Sequence, residues 1–167
     1  MKDRVTEAGL RWAAFYLEQR AALSRYAVSL VGNVDAAQDL IQEVLVRLLR
    51  QDRETNEPRA YVLRCIRNLA LDRRALRKPA SLDADALAVL DDAAVGQAAE
   101  ATQRVRGALA RLPREYHEVI VLKIYCELTF REIAEVLDVP PGTAASHYRR
   151  GLTELKGLLE EVADDVC

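Results

Sequence analysis

Residues 129–143 read TFREIAEVLDVPPGT, and this stretch decides the fold of the 167-residue chain. Thr129 followed three places later by Glu132 is a capping box, in which hydroxyl and carboxylate satisfy the end amides of a helix reciprocally. Ile133, Ala134, Val136 and Leu137 make that helix short and apolar on one side. Asp138-Val139-Pro140 turns the chain, and Pro141 suits the first turn of a second helix running to about Val162. Ala144, Tyr148, Leu152, Leu155 and Leu159 form its expected inner stripe. A capped helix, a tight turn and a longer helix describe a helix-turn-helix, and small Ala134 lets the two helices approach closely. The opening turn of such a second helix is the part that enters a DNA groove. Its outward side chains are Thr143, Ser146, His147, Arg149 and Arg150. A helical hairpin packed in a bundle has the same pattern, which by itself leaves both uses open.

Working upstream, a helix over about 100–111 ends at Leu112-Pro113, and Pro113 starts another that reaches about Cys126. In the first half, residues 8–31 carry Trp12, Phe15, Tyr16, Leu23, Tyr26, Ala27 and Leu30 on a broad apolar stripe, stopped at Gly32-Asn33. Asp35 is placed to cap the next helix, whose apolar residues Ala37, Leu40, Ile41, Val44, Leu45, Leu48 and Leu49 recur at i, i+3, i+4 spacing. After the polar loop QDRETNE, Pro58 opens a third helix to about Lys78, with Val62, Cys65, Ile66 and Leu69 inside and Pro79 as its stop. No segment has a period of two. The expected fold is all-α: a three-helix N-terminal bundle and a C-terminal helix-turn-helix domain joined by an acidic linker.

Composition agrees. Half the residues are hydrophobic and only 5% aromatic, which suits helices rather than a β-sandwich. Scattered glycines exclude a phosphate loop, and no apolar run approaches the roughly 18 residues of a membrane helix. The first residues, MKDRVTEAGLRW, lack the apolar core of a signal peptide, so a cytoplasmic protein without membrane insertion is expected. A formal net charge of −2 argues against a uniformly basic nucleic-acid binder. The sum hides strong segregation: residues 1–78 carry a net +5, residues 79–103 carry −5 without one basic residue, and residues 104–167 carry −2. The small, acidic middle stretch reads as a linker between domains 1–78 and 104–167.

The third helix holds most of the segregated positive charge. Arg64, Arg67, Arg74 and Lys78 share a face opposite Val62, Ile66 and Leu69, flanked by Arg59, Tyr61, Asn68, Arg73 and Arg77. Cations neutralise phosphates, an amide reads a base edge and an aromatic stacks on an unpaired base. A solvated helix face is the bland alternative, but within the helix only Asp72 counters the cluster.

Three stretches in this order resemble bacterial RNA polymerase sigma factors of the extracytoplasmic-function (group IV) type. DAAQDLIQEVL at 35–45 is similar to the family's polymerase-docking helix, and PRAYVLRCIRNLALDRR at 58–74 to its promoter −10 helix. LPREY at 112–116 with LTFREIAEVL at 128–137 and Pro141-Gly142-Thr143 is similar to its −35 domain. The resemblance covers about residues 20–160. It implies a two-domain initiation factor that catalyses nothing and needs no cofactor. Its partners would be the clamp and flap of core RNA polymerase, promoter DNA and an anti-sigma factor. It assigns Asp35, Asp39, Gln42, Glu43 and Arg47 to the polymerase, and Tyr61, Arg64, Arg67, Asn68, Arg73, Arg74 and Lys78 to the −10 element. Thr143, Ser146, His147, Arg149 and Arg150 fall to the −35 element. The loop at 51–57 beside Tyr61 and Asn68 would receive an extruded base. The acidic linker would imitate a phosphate chain in polymerase channels, or fold back on the basic third helix.

The chain departs from the family in one place. Where members usually carry Val-Lys-Ser-Arg after Gly-Thr, it has Ala144-Ala145-Ser146-His147, two cations fewer, so weak −35 recognition is expected. That departure sustains a sigma-like protein-interaction module as one alternative; a stand-alone helix-turn-helix regulator is another. Cys65, Cys126 and Cys167 have no CxxC spacing, and neither a disulfide nor a metal site is expected. His117 reads as a surface or packed histidine, Asp91-Asp92 and Asp164-Asp165 as solvating charges, and Trp12 as core.

Overall fold

The structure is a computed structural model that describes residues 2–51, 57–75 and 97–164. Among the described residues there are seven helices and no strand: α1 (Lys2–Val31), α2 (Val34–Gln51), α3 (Pro58–Ala75), α4 (Gln97–Arg111), α5 (Arg114–Ile124), α6 (Phe130–Leu137) and α7 (Pro141–Asp164). The all-α expectation holds. Most of the acidic stretch, Lys78 and Cys167 lie outside the described residues, and so does the idea that the linker folds back.

Helix ends follow local chemistry, with two corrections. Gly32 adopts the left-handed φ of 72° that closes α1, its N–H bonded to the Val28 carbonyl at 2.7 Å. The cap of α2 is Asn33 rather than Asp35: its Oδ1 accepts the Ala36 N–H at 3.0 Å, and Asp35 sits inside the first turn. Asp35 there still favours the positive end of the helix dipole. Helix α1 also begins at Lys2, six residues before the expected start at residue 8, carried by the largely polar turns before Gly9.

Helices α1, α2 and α3 close around Leu23, Tyr26, Leu40, Leu63 and Ile66, all fully buried, and Trp12 is core as expected. Leu122, Leu128, Ile133 and Val136 do the same where α5, α6 and the start of α7 meet. These two apolar centres are continuous, because α3 packs on α6 and α1 on α5. A smaller cluster of Leu109, Leu112 and Ile120 with Leu155 and Leu158 fastens α4 to α5 and α7.

The capping box forms as expected. The Thr129 N–H and hydroxyl both donate to Glu132 Oε2 at 2.7 Å, and the Glu132 N–H returns to the Thr129 oxygen at 3.2 Å. Partial burial raises the Glu132 pKa, but these hydrogen bonds and nearby cations outweigh it, and the net shift is downward. A carboxylate with a lowered folded pKa stabilises above its unfolded pKa, and that contribution is lost as pH falls through the folded value. Glu132→Gln is therefore expected to cost on the order of 0.5–1 kcal/mol at neutral pH. In urea titrations at successive pH values, the difference from wild type should shrink toward zero under acid.

The inner stripe of α7 is rotated from expectation. Leu152 is exposed, while Ala144, Tyr148, Gly151, Leu155 and Leu158 face inward. Gly151 is the point of closest approach to α5: a Cβ there would meet Ile120 Cδ1 and Tyr116 Cβ at 3.0 Å each. Gly151→Val is expected to cost about 1–3 kcal/mol by overpacking. A urea midpoint equal to wild type would show that α5 and α7 can separate at no cost.

Candidate nucleic-acid interface

Helix α2 presents Asp35, Asp39 and Gln42 to solvent, with Glu43 half-buried and Arg47 exposed. Glu43 is the pivot of this face. Its carboxylate accepts from Arg47 one turn later and from Arg73 of α3. The hydrogen bond from Arg73 is the largest cause of a Glu43 pKa below the ordinary carboxylate value; burial opposes it. The residues assigned to polymerase and those assigned to DNA thus meet in one ion pair.

Next to Arg47, α2 and α3 flank a half-open cavity of about 180 Å³. Tyr61, Asn68 and Asp72 reach it from α3, and Arg47 from α2, over an apolar floor of Val44, Leu48 and Leu69. An aromatic ring, an amide and a guanidinium around an apolar floor have the chemistry to hold a flat heterocycle with polar edges. Loop residues 52–56, expected to share this pocket, lie outside the described residues.

The remaining cations of α3 meet partners that are remote in sequence. Arg64 approaches Asp138 at 3.8 Å. Arg67 Nε donates to Glu118 Oε2 at 2.8 Å, and Arg114 Nε donates to Glu118 Oε1 at 2.7 Å. Burial opposes the Arg67 charge, but the Glu118 carboxylate outweighs it and the pKa is raised. Arg59 donates to the Cys126 carbonyl. The side chains of Arg74 and Lys78 lie outside the described residues. Sequence reasoning missed Glu118 altogether. Its one visible signal was a carboxylate at the edge of the apolar run Val119-Ile120-Val121-Leu122, a place where a charge needs a partner.

The opening of α7 carries the third set. Thr143 is in the first turn, its N–H bonded to the Pro140 carbonyl at 2.9 Å. Thr143 and Ser146 are half-buried, while Arg149 and Arg150 are exposed. His147 rests its ring edge against Tyr116, with centroids 5.6 Å apart. Ala144 is fully buried, so that departure from the family pattern falls in the core, whereas Ala145 and His147 remain reachable.

The other reactive side chains are structural. Burial pushes the Cys126 thiol up to about 12, which keeps it protonated and inert. His117 is buried, and its pKa is lowered by that burial. No cluster of three metal-ligating side chains occurs among the described residues, and no described helix is long and apolar enough to cross a membrane.

Residues 15–79 match the family model of sigma-70 region 2, and residues 102–155 that of sigma-70 region 4. The chain is 30% identical over 151 residues to the ECF RNA polymerase sigma factor SigW of Bacillus subtilis, covering 80% of each protein. It is 31% identical to the ECF RNA polymerase sigma factor EcfG of Rhodopseudomonas palustris, covering 83% of this chain and 79% of that one. Among solved structures, CnrH in complex with the cytosolic domain of CnrY is similar with a TM-score of 0.69, at 19% identity, over 96% of this chain and 94% of that chain. RpoE in complex with the anti-sigma factor NepR, from Bartonella quintana, gives 0.64 at 20% identity, over 88% and 97%. A stand-alone helix-turn-helix regulator would account for the second half alone, whereas both halves match, each to its own sigma region. The chain belongs to the ECF family of RNA polymerase sigma factors.

Proposed function

We propose that this sigma factor docks on the core polymerase clamp through Asp35, Asp39, Gln42, Glu43 and Arg47. In this reading it captures an extruded −10 base in the cavity between α2 and α3. The observation that carries the proposal is that cavity, which joins Tyr61 and Asn68 of α3 to the Arg47 guanidinium of α2. Extruding a base costs a few kcal/mol, which stacking and edge hydrogen bonds must offset. Arg64, Arg67, Arg73, Arg74 and Lys78 would then neutralise the adjoining phosphates. Residues 1–78 would form the −10 unit and 104–167 the −35 unit, tethered by 79–103.

The chain supplies no bond-making chemistry in this reading; the polymerase makes the RNA, in the cytoplasm. An anti-sigma factor is the natural regulator, since the structural relative RpoE is held by one, NepR. A promoter duplex carrying 2-aminopurine at the −10 position tests the assignment. With core polymerase and this chain its fluorescence should rise as the base leaves the stack. A flat signal, despite a stable complex, would remove the cavity from this role.

The −35 contact should be weak. In the opening turns of the reading helix, residues 141–150, only Arg149 and Arg150 offer exposed positive charge. Ala145→Lys with His147→Arg is expected to tighten binding to −35 duplex DNA, steepening the salt dependence by about 0.9 per new phosphate contact. An anisotropy titration at several salt concentrations measures it. An unchanged slope would mean that this helix lies away from the duplex.

A further inference from the structure

The cavity between α2 and α3 holds one group that phosphate neutralisation does not explain. Asp72 lines it one turn beyond Asn68, so an amide and a carboxylate stand as neighbours on the wall that α3 contributes. The two arginines beside Asp72, Arg47 across the cavity and Arg73 next in the chain, are both held by Glu43 instead. Asp72 is exposed, and no ion pair engages it among the described residues. A bare carboxylate beside a nucleic-acid strand repels every phosphate and weakens binding whatever the sequence. It contributes only where hydrogen-bond donors meet it.

An ionised carboxylate only accepts, and its two oxygens suit two parallel donors. A base taken out of the stack is read on its Watson–Crick edge. Guanine alone presents two adjacent donors there, N1–H and the N2 amine, with O6 beside them as an acceptor. Adenine and cytosine set an acceptor ring nitrogen next to their amine, and thymine places a single N3–H between two carbonyl oxygens. Each of those three edges would bring a lone pair against one Asp72 oxygen. We infer that Asp72 is the base-selecting residue of this cavity and that the base it selects is guanine, its two oxygens accepting N1–H and N2–H while the Asn68 amide donates to O6. The inference rests on the base-capture reading given above. Glu43, by holding Arg47 and Arg73, keeps the Asp72 carboxylate available for this role.

The test uses holoenzyme assembled from core polymerase and the full chain. It is titrated with fork promoter DNA carrying each of the four bases in turn at the −10 position where 2-aminopurine brightens. Guanine is expected to bind about tenfold or more tighter than the other three. Inosine, which keeps O6 and N1–H but lacks the N2 amine, should bind about fivefold more weakly than guanine. Asp72→Ala should bring all four bases within about twofold of one another and make inosine equal to guanine. Asp72→Asn keeps the shape but sets an NH2 group against one of the two donors, so it should lose the preference as well. Circular dichroism should match wild type for both variants, since the side chain is exposed.

Removing a carboxylate also relieves repulsion of phosphates, which raises affinity for every base alike. That common factor cancels in the ratio between bases, so a purely electrostatic role would leave the preference unchanged. A wild-type preference for another base, no preference at all, or a guanine preference that survives Asp72→Ala would each overturn the inference and leave base capture standing. If 2-aminopurine brightens at no −10 position, the capture reading falls and this inference with it.

Discussion

Combining Tyr61→Ala with Asn68→Ala is expected to reduce promoter-dependent transcription by the reconstituted holoenzyme about thirtyfold or more. Stacking of a base on an aromatic side chain is worth about 1–3 kcal/mol by alanine substitution. A side chain matched to a base edge adds about 1–3 kcal/mol of discrimination. Each 1.4 kcal/mol is roughly a factor of ten, so even the lower ends of both ranges combine to about thirtyfold. Tyr61 is half-buried and Asn68 exposed, so the fold should survive the change. The polar face of α2, which is assigned to core binding, is untouched. Transcript yield and core affinity should therefore separate. A loss below about threefold, with core binding intact, would mean that the cavity holds no base.

Ile133→Ala is expected to cost about 2–5 kcal/mol of stability. Ile133 is fully buried on α6, between the capping box and the turn at Asp138. Its removal leaves a cavity beneath the helix that supports α7, and total stabilities of such domains are only about 5–15 kcal/mol. Urea unfolding followed by circular dichroism reads the loss directly. A shift under about 1 kcal/mol would place Ile133 outside the apolar centre that fixes the helix-turn-helix.

Local signals carried the sequence reading where one residue settles one end of a helix. Gly32 closes α1, Pro58 opens α3, and Thr129 with Glu132 caps α6, each through bonds spanning four residues or fewer. Errors arose where two local solutions compete. Asn33 and Asp35 both cap well, and the chain uses the one that lets Val34 enter the helix. On α7, reading the apolar stripe through Leu152 ignored the one inward position without a side chain, Gly151. Glycine carries no hydrophobicity, yet here its smallness is what allows α5 to pass.

Pairing across the two halves was illegible for a different reason. Arg67 and Glu118 are 51 positions apart, and nothing in the spacing of either helix selects that partner. On α3 alone the arginine cluster read as an open DNA face, countered only by Asp72. The folded chain brings Glu43, Glu118 and Asp138 against the same arginines. The segregated charges found in the sequence are thus partly reunited by tertiary contact, which local reading could not anticipate.

This chain directs core RNA polymerase to promoters, and run-off transcription reads that activity itself. Purified core polymerase, this protein and a library of upstream fragments from its host should yield transcripts of defined length from a subset of fragments. Those transcripts should disappear when the protein is omitted. Stable binding to core polymerase without a protein-dependent transcript from any fragment would mean that the chain does not act as a promoter-specificity subunit.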